Sequence, residues 1–396
     1  MSATAAATRV AEALAARAEA NEQFFAAEED RIARLCHRLA ERFAAGGRLV
    51  AFAATPAARS DARHVAVEFV HPVIVGKRAL PALALAGEGG DPAAQVDVIC
   101  EPGDIAVGFG PGVEAAMAAA RGRGCLTLGF TRGCGAEWEF LPPTEDPAVA
   151  QELVETLYHV LWELVHVFFD HRGLLEGRAA RPVHDTGASS FLYPFLGEQE
   201  HDLEAVVADV RASVRMKADE VTALRTQTLT DGAGELEAAA AVLRAAFDVG
   251  GQLLALGNGG SATDAMDLVA DLRAPVHGGP PRRALDLTED AGILTAIAND
   301  IGTEAIFSRQ VIAYGRPGDV LVALSTSGNS LSVVEALREA RRRGLATLAF
   351  VGYDGGRVAH EQLADHVVVS RSEHIPRVQE AQASAYHVLR ELVELA

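Results

Sequence analysis

Two short stretches hold the residues best suited to chemistry. The first is Gly257-Asn258-Gly259-Gly260-Ser261, which follows the apolar run LLAL and precedes a helical pattern. Glycines at a strand-to-helix corner let the backbone turn sharply and leave amide N–H groups to point at a ligand. The helix that follows adds its positive dipole end, and Ser261 adds a hydroxyl donor, so the corner can hold an anion. A tight corner with no ligand would explain this stretch taken alone. The second stretch is Ser325-Thr326-Ser327-Gly328-Asn329-Ser330, which ends another apolar run before another helix. An N-cap needs one hydroxyl, whereas this loop offers four. A cluster of hydroxyl donors with no fixed cation suits a phosphate monoester, which presents several acceptor oxygens.

A dinucleotide site is the competing reading. Gly257, Gly259 and Ala262 fit G-x-G-x-x-G/A, and Asp286 ends the next apolar run about where a ribose-binding acid would lie. That reading gives the serine-rich loop no role, and no nicotinamide-site chemistry is evident. No nucleotide cofactor is therefore expected.

Both stretches sit in a repeated unit. In the first half, GGRLVAFA leads into the helical SDARHVAVEF, and PGDIAVGFGPG leads through a helix to the strand CLTLGF. In the second half, GGQLLALG leads into TDAMDLVADL, and PGDVLVALSTSGNS leads through a helix to LATLAF. RGRGCLTLGF and RRRGLATLAF match closely. Strands of four to six apolar residues alternate with longer helical patterns, which calls for a parallel sheet covered on both faces by helices. The segment 171–197 has low periodicity and several breakers, which marks a linker at 173–197 between an α/β domain at 1–172 and another at 198–396.

Bulk properties narrow the function class. The 396 residues suffice for two or three domains, and a chain 49% hydrophobic and 22% charged can build large cores. A formal charge of −19 repels nucleic acid and anionic membranes, so neither is an expected partner, and a phosphate must be won locally by backbone dipoles. Cys36, Cys100, Cys125 and Cys134 show no close pairing and read as reduced buried thiols. The first residues lack a continuous apolar core and no stretch reaches the length of a membrane span, so a soluble, cytoplasmic protein is expected.

The loops GNGGS and STSGNS, with AIANDIG between them, resemble the sugar isomerase (SIS) fold, and within it the phosphoheptose isomerases. The resemblance covers essentially the whole second half. It implies a tandem of two SIS domains, each a flavodoxin-like doubly wound parallel sheet. It implies further that Asn258, Gly259, Gly260, Ser261, Ser325, Thr326, Ser327 and Ser330 grip the phosphate end of a sugar, with Asn299 and Asp300 at its hydroxyls. The reaction implied interconverts sedoheptulose 7-phosphate and D-glycero-D-manno-heptose 7-phosphate. Moving a carbonyl between neighbouring carbons needs a base that shuttles a proton and a group that steadies the enediolate.

That family also implies a ligand set for zinc or another divalent metal: His and Glu four apart on the helix after the first loop, Gln and His eight apart on the last helix. In the second half Asp267 and Asp271 hold the first pair of places, and Gln379 and His387 the second, with Asp271, Gln379 and His387 as the implied catalytic groups. Residues i and i+4 share a helix face, so Asp267 and Asp271 can converge. A set with one histidine and two aspartates should bind zinc less well than the family set, or prefer a harder ion. The first half holds the family types in full, as His64, Glu68, Gln151 and His159, but its loops have become AATPA and FGPG without the serines. Either the halves pack as a pseudo-dimer and these metal-type ligands serve one composite site with the second half, or they are ordinary half-buried side chains of a decayed copy retained for packing. A dimer of this chain would reproduce a four-domain SIS assembly. Two other functions fit the altered residues: a non-catalytic sugar-phosphate-binding regulator, and an accessory protein that handles a metal.

Overall fold

The computed structural model describes residues 3–74, 76–86, 90–171, 174–175, 202–275 and 279–394. Apart from Leu174 and Leu175, the expected linker 173–197 lies outside the described residues. The chain divides into two compact units that do not follow its halves. One comprises Ala20–Thr144 and Leu153–Asp219; the other comprises Met1–Glu19, Glu145–Glu152 and Glu220–Ala396. Three long helices, α1 (Ala3–Ala44), α5 (Pro147–Asp170) and α6 (Leu203–Asp231), each contribute residues to both units. The repeat in the sequence records the order of elements. The compact units record which part of a long helix packs where.

The first sheet holds β1 (Leu49–Ala53), β2 (Ala82–Leu85), β3 (Ile105–Phe109), β4 (Leu126–Gly129) and β5 (Trp138–Glu139). Its order is β2-β1-β3-β4-β5 and every pairing is parallel. This is the doubly wound flavodoxin-like order. β1 and β3 are buried at every position, as expected of central parallel strands covered on both faces. Helix α2 (Pro56–Val70) follows β1. It starts cleanly because Thr55 accepts a bond from the Ala58 amide and Pro56 occupies the first turn. Helices α3 (Pro92–Ile99) and α4 (Glu114–Gly122) complete the crossovers. The core on one face includes Val50, Phe52, Val96, Met117 and the thiols of Cys100, Cys125 and Cys134. All four cysteines are buried and free of disulfides.

The second unit repeats the plan. After α7 (Ala233–Asp248) come β6 (Leu253–Leu256), α8 (Gly260–Arg273), β7 (Ala284–Asp286), α9 (Ala291–Asp300) and α10 (Ser308–Tyr314). Then follow β8 (Val320–Ser325), α11 (Leu331–Arg342), β9 (Ala346–Gly352), α12 (Gly356–His360), β10 (His366–Ser370) and α13 (Ile375–Glu394). Read from its β7 edge, the sheet runs β7-β6-β8-β9-β10, again all parallel. Alternate residues serve opposite faces. Leu253, Ala255, Val320, Val322 and Phe350 join one core, while Leu254, Leu256, Leu321, Ala323 and Val351 join the other. Among the described residues, no helix is long and apolar enough to cross a membrane.

Candidate functional site: an anion crevice and two buried imidazole clusters

β6 and β8 are neighbours in parallel register, from Leu253↔Val320 to Leu256↔Ala323. The chain leaves β6 toward β7 on one side, while β8 leads toward β9 on the other. This is the topological switch point at which open α/β sheets form a ligand crevice outside the carboxyl ends of the strands. Both serine- and glycine-bearing stretches lie there.

The first loop is shaped by glycine. Gly259 sits at φ 58 and ψ −126, a conformation that L side chains rarely adopt. A Cβ on Gly257 would lie 2.2 Å from the Ser261 carbonyl oxygen. The turn closes with the Ser261 amide donating to the Asn258 carbonyl at 3.1 Å, and α8 begins at once. Ser261 is buried at the helix start, where unpaired amides and the helix dipole favour an anion.

The second loop is tied more closely than its composition implies. Ser325 is buried and its Oγ accepts from the Gly328 amide at 3.2 Å. Ser327 Oγ accepts from the Asn329 amide at 3.2 Å. Asn329 in turn donates to the Ser327 carbonyl and accepts from the Arg357 amide. Each of these serines stabilises the turn as an acceptor and retains its hydroxyl proton for a ligand. Ser330 is the N-cap residue of α11, yet its side chain caps no amide of that helix. The loops touch through Asn258, whose Nδ2 donates to Ser332 Oγ at 3.0 Å. Ser332 was not legible as a loop partner, because its spacing reads as ordinary first-turn helix. Asn299 and Asp300 end α9, exposed, with Asn299 Nδ2 donating to Asp300 Oδ1 at 2.7 Å.

Helix α8 runs from this corner into a buried charged cluster. Asp267 and Asp271 lie about two and three turns beyond Ser261. Asp267 Oδ2 takes Tyr386 Oη at 2.9 Å and His387 Nε2 at 3.1 Å. The other ring nitrogen of His387, Nδ1, lies 2.9 Å from Glu152 Oε1. Burial by itself would lower the His387 pKa. Its two carboxylate partners, Asp267 and Glu152, override that and push it up to about 10, so the ring is a fixed imidazolium. Glu152 is completely buried, which alone would raise its pKa. The Arg17 guanidinium and His387 instead hold it well below the usual carboxylate range. Asp271 is ion-paired with Arg390, and Gln379 is buried on α13 two turns before His387.

A second cluster lies in the other compact unit. His64 and Glu68 stand four apart on α2, and Glu155 and His159 four apart on α5. All four are buried. The Nε2 atoms of His64 and His159 are 3.3 Å apart, and His64 Nε2 is 3.8 Å from Glu68 Oε1. Among the described residues, His64, Glu155 and His159 bring one ligand atom each within 4.8 Å of one another. Sequence reasoning missed Glu155. The signal was present, since E-x-x-x-H on α5 mirrors H-x-x-x-E on α2. Gln151 falls in the Glu145–Glu152 segment of the other unit.

The two clusters differ as metal sites. His64, Glu155 and His159, with Glu68 beside them, offer converging nitrogen and oxygen donors, and that donor set suits zinc or a similar divalent ion. The Asp267, Asp271, Gln379 and His387 set does not suit one. A doubly hydrogen-bonded imidazolium has no lone pair to give, and the Arg390 guanidinium already neutralises Asp271.

Comparison with known proteins gives the family. The SIS domain model matches residues 218–352. The chain is 49% identical over 162 residues to a phosphoheptose isomerase of Chlorobium phaeobacteroides, covering 40% of this chain and 70% of that protein. The chain belongs to the SIS domain family. A phosphoheptose isomerase of Rhodospirillum rubrum is 42% identical over 173 residues, covering 42% of this chain and 88% of that one. The C-terminal domain of glucosamine-fructose-6-phosphate aminotransferase from Francisella tularensis aligns with 98% of this SIS chain and 95% of its own length. Its TM-score is 0.61 at 11% identity, a likeness of fold. The matched family and its named relatives place this SIS protein beside phosphosugar isomerases.

Proposed function

We propose that the crevice between β6 and β8 isomerises a phosphorylated ketose, sedoheptulose 7-phosphate, to D-glycero-D-manno-heptose 7-phosphate. One observation carries the reading: the helix that opens at the glycine corner is the same helix that brings Asp267 to His387. By helical rise, Asp267 and Asp271 lie about 9 and 15 Å along α8 from Ser261, comparable to the reach of an extended seven-carbon sugar phosphate. Gly259, Gly260, Ser261, Thr326 and Ser330 hold the phosphate with Asn258, Ser325 and Ser327, and Asn299 and Asp300 meet sugar hydroxyls. Asp271 takes the C1 proton. The resulting enediolate is steadied by the His387 imidazolium, and the proton returns at C2 while the O1 hydroxyl proton passes to O2. Gln379 orients the sugar beside His387.

No step runs through a metal in this crevice. A divalent ion belongs instead with His64, Glu155 and His159, where it would lock α2 to α5. A dimer of the chain would present four SIS folds. One feature favours a second reading, binding of a sugar phosphate without turnover: Asp271 and His387 are each already neutralised by a buried partner. Incubation with sedoheptulose 7-phosphate separates the two readings. Aldose formation that disappears in Asp271→Asn and His387→Ala supports the isomerase. Thermal stabilisation by the sugar phosphate with no aldose supports the binding protein.

A further inference from the structure

The repeat puts Glu152 of QELVETLYH opposite Glu380 of QEAQASAYH. Glu380 pairs with Arg377, one turn back on its own helix. Glu152 is built into the His387 cluster, with the guanidinium of Arg17 against both of its oxygens at 3.0 Å. Ser384 donates its hydroxyl to Oε2 and His387 offers Nδ1 to Oε1 at 2.9 Å. Burying a carboxylate at this depth is costly unless several donors satisfy it, and here they fix it from three directions. Arg225 Nε lies 3.9 Å from Oε2 as well.

We propose that Glu152, a residue of the first sequence half, is the positioning residue of the second-half site, clamping His387 so that Nε2 faces Asp267 on α8, the helix that opens at the crevice. A carboxylate behind an imidazole sets the ring's orientation, and where the imidazole binds a metal, substitution of such an outer partner costs about 10- to 100-fold, the scale taken for this clamp. Arg17 completes the device by holding the carboxylate. The helical segment Glu145–Glu152 thus has a use in the second unit that does not depend on the lost serine loops of the first.

This inference rests on the proposed isomerase for its catalytic meaning, so its test has a readout independent of turnover. In the full chain labelled with 15N-histidine, the Nδ1–H signal of His387 is assigned by its disappearance in His387→Gln. Glu152→Gln should shift or abolish that signal and lower kcat about 10- to 100-fold with KM nearly unchanged. Should Glu152→Gln fail to fold, Glu152→Asp keeps a charge for Arg17 while withdrawing the oxygen by one methylene, and should shift the same signal. An unchanged His387 signal in the folded variant overturns the proposal. Absence of turnover in the native protein, with the signal lost as expected, overturns the isomerase alone.

Discussion

The charged state of His387 gives the sharpest test of the buried cluster. Its pKa is pushed up to about 10 from an ordinary 6.5 by Asp267 and Glu152, against the effect of burial. A raised pKa means that the stabilisation is fully present below the unfolded value and is lost as pH rises toward the folded one. Between these limits the folded state holds one more proton than the unfolded state, so stability falls by about 1.4 kcal/mol per pH unit. From about pH 7 to about pH 9 the loss is about 2.5 kcal/mol. In a unit of roughly 200 residues, each kcal/mol is about 2–4 °C of melting temperature, so the drop is roughly 5–10 °C. Glu152 does not confuse the measurement. Its pKa is lowered, so its contribution is lost only as pH falls into the acid range. Melting curves of native protein and His387→Gln across this window provide the assay. The variant should be less stable at neutral pH, because it strands two buried carboxylates, but its melting point should fall less on alkalinisation. Identical pH dependence in the two proteins would refute the fixed imidazolium, and with it the assignment of enediolate stabilisation to His387.

Other predictions address the crevice and the second cluster. Gly259→Ala meets no atom within 4 Å at its Cβ, so its cost is backbone strain alone, about 1–3 kcal/mol. Calorimetry should show weakened sugar-phosphate binding, and an unchanged melting point would argue against the required left-handed turn. Ser330→Ala removes a hydroxyl that caps no amide, so stability should hold within about 0.5 kcal/mol while affinity for sedoheptulose 7-phosphate falls about tenfold or more. Equal affinity would show that this hydroxyl faces no phosphate. His159→Ala should lower the zinc or manganese content of purified protein measured by elemental analysis, while Gly259→Ala should leave it intact. Equal metal loss in both would mean that the ion sits with the crevice rather than with His64 and Glu155.

Much of the architecture was legible because local rules produce it. Fully apolar runs such as LVAFA and VLVALS specify parallel strands buried on both faces, and the alternating helical patterns specify crossovers on either side. The doubly wound order implied by the SIS resemblance appears in both units, and the glycine corner announced itself because L side chains rarely adopt the angles at 259. The spacing His64-x-x-x-Glu68 also put two side chains on one helical face before any fold was known. Tertiary structure decided which charged groups meet. Glu152 and His387 are separated by most of the chain, so no local period links them, and the pairing of Asp271 with Arg390 depends on how α8 lies against α13. Whether an aspartate faces a metal or a guanidinium is fixed by which helix packs beside it, because in a buried site the partner, not the residue type, sets the charge that can be tolerated.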